Sequence, residues 1–238
     1  MSSEQTPEPT LDAALEAKIE QAKKLLIEVA SDYSPATFAN SFGAEDMVAT
    51  DLICKFAPEI EIFSLDTGRL PQETHALIQQ AMKHYGREFA IYAPESSDVE
   101  AYARKNGPDA FYDSVELRKA CCRVRKVLPL QRALKGKKAW VTGMRAEQSP
   151  TRGELPESSW DEDNGLQKFN PLSSWSNKEI WAYIRHFDVP YNKLHDQHYA
   201  SIGCAPCTRA IAMGEDIRAG RWWWEDPENK ECGLHVKK

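Results

Sequence analysis

Apolar side chains recur at helical spacing from Leu11 to Ala30, behind an opening to about Thr10 that is polar and holds two prolines. The pattern predicts a frayed start leading into an amphipathic helix. Between Ala36 and Thr67 a short apolar run, ATFANSF, meets a turn-like GAED, and a helical stretch to Phe56 and the run EIEIFSLDT follow. This order reads as strand, turn, helix, strand. LPQETHALIQQAMKHYG has helical periodicity with Gly86 as its stop, REFAIYAP reads as another strand, and Lys138 to Gly143 reads as a further one. Strands alternating with helices predict an α/β fold, an open and largely parallel sheet with helices on both faces.

The second half is more irregular. Leu117 to Lys138 carries nine basic side chains and no acidic one, in a helical pattern broken by Pro129. Arg145 to Leu166 reads as a polar, proline-containing loop, long enough for an active-site lid. Trp175 to Phe187 returns to helical spacing, with Ser176 as N-cap and Glu179 completing a capping box. The chain divides into an N-terminal tail (1–10), one α/β domain (11–224) and a mobile C-terminal tail (225–238).

The 238 residues carry a formal charge of −6, with 42% hydrophobic and 28% charged side chains, which is an ordinary globular composition. No apolar run approaches the ~20 residues of a membrane span, and the first ten residues lack the basic start and apolar stretch of a secretion signal. A cytoplasmic protein without membrane contact is expected. The acidic total also argues against a general nucleic-acid binder, so any anion site must be local. The sequence allows a homo-oligomer without specifying one.

Six cysteines stand at Cys54, Cys121, Cys122, Cys204, Cys207 and Cys232. Without an export signal they are expected to be reduced, and clustered thiols then read as metal or redox chemistry. Cys121-Cys122 and Cys204-x-x-Cys207 supply four soft ligands, enough for a structural zinc or an iron–sulfur cluster. Neighbouring side chains on a helix diverge by roughly 100°, which suits a bulky cluster with separate metal corners better than one tetrahedral ion. Two free buried cysteines beside an unrelated CxxC are the third reading. Cys232 stands apart in the tail Glu231-Cys232-Gly233-Leu234-His235, either as a nucleophile activated by its neighbours or as an inert surface thiol.

Six motifs in order then resemble the assimilatory sulfonucleotide reductases, specifically the iron–sulfur adenylyl-sulfate (APS) reductase type. They are SFGAEDMV from Ser41, LDTGRL from Leu65, KACCRVRKVLPL from Lys119, VTGMRAEQSPTR from Val141, GCAPCTR from Gly203 and ECGLH from Glu231. The resemblance implies a nucleotide-binding fold related to the ATP-pyrophosphatases and a 4Fe-4S cluster on Cys121, Cys122, Cys204 and Cys207. It also implies a tail nucleophile, Cys232, that attacks the sulfur of APS, releasing AMP and leaving an S-sulfonate. Thioredoxin or glutaredoxin would then free sulfite, in sulfate assimilation and cysteine biosynthesis.

By the same resemblance, Ser41, Phe42, Gly43, Ala44, Glu45 and Asp46, with Leu65, Asp66, Thr67, Gly68 and Arg69, bind APS. Lys126, Arg145, Arg152, Arg218, Arg221 and His235 are the cations that converge on its anions. Lys126, four residues beyond Cys122, shares its helical face and can lie between cluster and substrate. His195 and His198 are read as structural or solvent-facing, and Trp222-Trp223-Trp224 as an anchor for the terminal segment. Two alternatives remain: a cluster-containing reductase that prefers the 3′-phosphorylated substrate (PAPS), and a zinc-stabilised nucleotide-binding module without catalysis.

Overall fold

The central strands are apolar on both sides because helices cover both faces. In the computed structural model, which describes residues 11–148 and 155–226, the strands are β1 (Ala36–Ala39), β2 (Glu61–Leu65), β3 (Ala90–Tyr92), β4 (Ala139–Val141), β5 (Ser158–Asp161) and β6 (Leu166–Phe169). They form one sheet in the order β3-β2-β1-β4-β6-β5. Every pairing is parallel except that of β5 with β6. Strand alternation sends Phe38, Ile62 and Val141 to one face and Phe63 and Trp140 to the other.

The larger core lies on the first face. There α1 (Ala13–Asp32), α2 (Ala44–Phe56), α3 (Gln72–Tyr85) and α7 (Asn177–His186) bury Leu26, Leu52, Leu77 and Ile180. The opposite face is covered by α6 (Leu128–Leu134), whose Leu130, Ala133 and Leu134 pack on Phe63 and Trp140. The expected open, largely parallel α/β sheet is therefore the architecture observed. Two helix ends follow their sequence signals: Gly86 closes α3 in the left-handed region, φ 59°. Ser176 and Glu179 form the reciprocal capping box of α7.

Three stretches differ from the sequence reading. Residues 145–166 are not one loop: their second half builds β5, which turns at Gly165 (φ 67°) into β6 and adds an antiparallel edge. The polar, exposed alternation of Ser158–Asp161 concealed that strand. A further helix, α4 (Ser96–Asn106), carries only one buried side chain, Tyr102, so its apolar periodicity is weak. Pro129 does not break the basic helix. Instead α5 (Val115–Cys122) runs through a π-helical turn, Arg123–Val127, into α6. The wider turn precedes the proline, which has no N–H for an i→i−4 bond.

Candidate functional site

The sheet order reverses beside β1: the chain runs outward through β2 and β3, then returns to place β4 on the other side. Open α/β sheets bind ligands at the carboxyl ends of the strands at such a switch point. A cleft of about 240 Å³ lies there, bounded by Ser41, Gly43, Glu45 and Asp46 after β1, Leu65 and Thr67 after β2, and Thr142 and Gly143 after β4.

The turn after β1 is held by its own side chains. Asn40 Oδ1 accepts from Phe42 N at 2.7 Å, fixing Phe42 at φ 61° with its ring buried. Asp46 Oδ2 accepts from both Ser41 N and Ser41 Oγ at 2.6 Å. Burial pushes the Asp46 carboxyl up to about 6, against the lowering effect of those Ser41 bonds. Gly143 lies against the same carboxylate, where a Cβ would collide with Asp46 Oδ1. Glycine at 143 is therefore required by close approach and not by φ.

Of the residues expected to bind APS, Ser41, Gly43, Glu45, Asp46, Leu65, Thr67, Lys126, Arg218 and Arg221 line this cleft. Phe42 and Ala44 do not, and both are buried in the core beneath the turn. Asp66 pairs with His75 at 3.1 Å and accepts from Gly68 N. Arg69 faces the other way, holding Asp109 and the Pro108 carbonyl. Arg145 is fully buried and donates to Glu45, Glu147 and the Trp175 carbonyl. It does not converge on the cleft; its guanidinium holds Glu45 in place. Arg152, Cys232 and His235 lie outside the described residues.

A second, smaller cavity adjoins the cleft and is lined by Cys121, Cys122, Cys204 and Cys207 with Arg69, Arg118, Arg125 and Lys126. Lys126 lines both spaces. Cys121 and Cys122 end α5; Cys204 caps a 3-10 turn, Ala205–Cys207, and Cys207 closes it. The two segments are tied together by Thr67 Oγ1, 3.2 Å from Cys204 Sγ, by Arg125 Nη1 on the Thr67 carbonyl at 2.6 Å, and by Ala205 N on the Arg69 carbonyl at 2.8 Å.

The surroundings pair four thiols with four cations, Arg69, Arg118, Arg125 and Lys126, which suits thiolates bound to a metal. Burial pushes the Cys121 thiol up, and pushes Cys207 up to about 12 with the neighbouring Cys204 adding to the shift. Binding of a metal would displace those protons. Trp222 Nε1 and Trp224 Nε1 are buried with no hydrogen-bond partner among the described residues. Trp224 packs with Cys121 and Cys207. Among the described residues no three His, Cys, Asp or Glu side chains converge as ligands of one ion. The four thiols that line this cavity are a donor set of the kind that holds an iron–sulfur cluster.

Several residues escaped the sequence reading. His195 lines the cleft, with Nδ1 on the Tyr199 carbonyl at 2.8 Å, although the sequence placed it as structural or solvent-facing. Arg125 had no signal beyond the basic run. Of the three tryptophans, Trp222 lines the cleft, Trp224 meets Tyr112 edge to face and Trp223 is 40% exposed, so the anchor has different tasks along it.

Comparison with known proteins agrees with this geometry. Residues 35–210 match a family described as the phosphoadenosine phosphosulfate reductase domain. The adenosine 5′-phosphosulfate reductase of Allochromatium vinosum is 57% identical over 230 residues, covering 97% of this chain and 87% of its own. That of Burkholderia cepacia is 50% identical, covering 95% and 90%. Among solved structures, the phosphoadenylyl-sulfate reductase of Candida auris, in a phosphate complex, aligns with TM-score 0.69 at 27% identity, over 85% of this chain and 98% of that one. An NAD synthetase from Campylobacter jejuni, at 16% identity and TM-score 0.52, shares the fold. The chain belongs to the phosphoadenosine phosphosulfate reductase domain family.

Proposed function

We propose that the protein reduces adenylyl sulfate to sulfite and AMP, with Cys232 as nucleophile and a thioredoxin- or glutaredoxin-type dithiol as electron donor. The observation that carries this reading is Lys126, which lines both the cleft at the strand tips and the cavity of four thiols. One cation thereby faces a nucleotide on one side and a thiolate-rich centre on the other.

The cleft receives APS with its anionic end toward Lys126, Arg218 and Arg221, where negative charge grows on the leaving phosphate. The Cys232 thiolate attacks sulfur; the S–Sγ bond forms as the sulfur–oxygen bond to phosphate breaks, and AMP leaves. A donor thiolate then attacks Cys232 Sγ and expels sulfite, and the donor's second thiol resolves the mixed disulfide. Two thiols are oxidised to one disulfide while sulfur accepts two electrons, so the balance closes. A 4Fe-4S cluster held by Cys121, Cys122, Cys204 and Cys207 would supply a charged centre that tunes the field at Lys126. The reducing exchange requires a thiol-rich compartment, in keeping with a cytoplasmic location.

Mass spectrometry of the full-length protein mixed with APS in the absence of reductant tests the scheme. A covalent sulfonate on the peptide carrying Cys232, absent in Cys232→Ser, is the expected result. Sulfite formation by Cys232→Ser at a wild-type rate overturns it.

A further inference from the structure

Arg221 is the cleft cation with the most closely defined surroundings. Its guanidinium carbon lies 4.7 Å from the centroid of the Trp222 ring, and that of Arg118 lies at the same distance from the same ring. Two cations on one buried indole repel each other, and in low dielectric that repulsion is strong. The arrangement is relieved at Arg118, which is fully buried and grips Glu225 through two bonds, Nε to Oε1 at 2.9 Å and Nη2 to Oε2 at 2.6 Å. Such fork-to-fork pairing neutralises the charge and fixes the plane of the guanidinium. Glu225, assigned by sequence to the mobile tail, is only 9% exposed.

Arg221 is bounded elsewhere as well. A Cβ on Gly203 would run into its Nη2 and Cζ atoms, and its Nη1 donates to Ser201 Oγ at 3.3 Å. The φ of Gly203 is not in the left-handed region, so room for the guanidinium is the reason for glycine there.

We propose that Arg118 and Glu225 are positioning residues: through the Trp222 ring, and with Gly203 leaving the necessary space, they hold the Arg221 guanidinium toward the anionic end of the bound nucleotide. This rests on the nucleotide reading given above and adds to it two residues outside the cleft lining. Without the Glu225 carboxylate, the Arg118 guanidinium loses the fork that fixes its plane against the Trp222 ring, and the stack with Arg221 shifts. A guanidinium displaced by a fraction of its own width no longer meets its anion.

Equilibrium binding to the full chain carrying Cys232→Ser tests this, with adenylyl sulfate and adenosine as paired probes. Glu225→Gln and, separately, Gly203→Ala are expected to weaken adenylyl sulfate about tenfold while changing adenosine less than about twofold. Added to Arg221→Ala, neither substitution costs anything further. Unchanged adenylyl sulfate affinity, an equal loss for adenosine, or the same loss in the Arg221→Ala background each overturns the proposal. Should Glu225→Gln fail to fold, Glu225→Asp, which keeps the charge but shortens the reach to Arg118, decides with the same two probes. If the unsubstituted cleft binds no adenylyl sulfate, the nucleotide reading falls and takes this proposal with it.

Discussion

The strand-tip cleft and the thiol cavity share a wall, yet they are built on opposite principles. The cleft satisfies much of its polarity internally: Asp46 is bonded by Ser41, Glu45 by Arg145, Asn40 by Thr50, and Thr142 by Asn170. Its frame is the parallel sheet itself. The thiol cavity is assembled from a helix end, a π-helical turn and a 3-10 turn. Burial there pushes the Cys121 and Cys207 thiols up. The first region takes its shape from the sheet, and the second is the one proposed to take a metal group.

The largest effect follows from that asymmetry. Cys204→Ala removes a ligand from the thiol cavity, so iron content and sulfite formation should both collapse, the latter by more than about 1,000-fold if metal loss removes the charged centre. AMP affinity should stay within about threefold, because the sheet frames the cleft and its lining loses only the contact of Thr67 Oγ1 with Cys204 Sγ. Iron retention in Cys204→Ala, or AMP binding lost together with iron, breaks the contrast between the two regions.

Lys126 belongs to both, and its removal measures their coupling. Lys126→Ala should lower the rate of sulfonate formation on Cys232 about 100-fold, or ~3 kcal/mol, as for loss of one preorganised charge. Iron content should not change, since no ligand is lost. Single-turnover kinetics with quantified iron checks both halves, and an unaltered rate makes Lys126 a surface charge between two independent sites.

How much of each region was legible in the chain follows the same division. The sheet could be read because β1, β2 and β4 are buried on both faces and spell short apolar runs between turn signals. That the two cysteine pairs meet at one cavity could be read from their grouping along the chain. The edge strand β5 could not, since half its side chains face solvent and it borrows its order from β6. Arg145 illustrates a different limit. Its motif marks it as important, but whether a guanidinium meets a ligand or the Glu45 and Glu147 carboxylates depends on contacts across 100 residues of sequence in one case and two in the other. His195 was passed over because a histidine in a polar segment carries no sign of which cavity it borders.

The smallest effect tests whether the cleft is as self-contained as its hydrogen bonds indicate. The Asp46 carboxyl stands at about 6, raised from 3.8 chiefly by burial. A raised carboxyl binds its proton more tightly in the folded state than in the unfolded chain. Folding stability is therefore undiminished by this group below about pH 4 and falls as pH rises through the window from 3.8 to about 6. Asp46→Asn keeps an oxygen for Ser41 but removes the titration, so its stability should not share that decline. From pH 5 to pH 7 the variant should gain about 1 kcal/mol on the wild type, from one pKa unit being worth about 1.4 kcal/mol. Urea unfolding at the two pH values measures the difference. Parallel pH profiles for the two proteins would mean that water or a neighbouring cation stabilises the Asp46 carboxylate, and that the turn after β1 is less sealed than its Ser41 and Gly143 contacts imply.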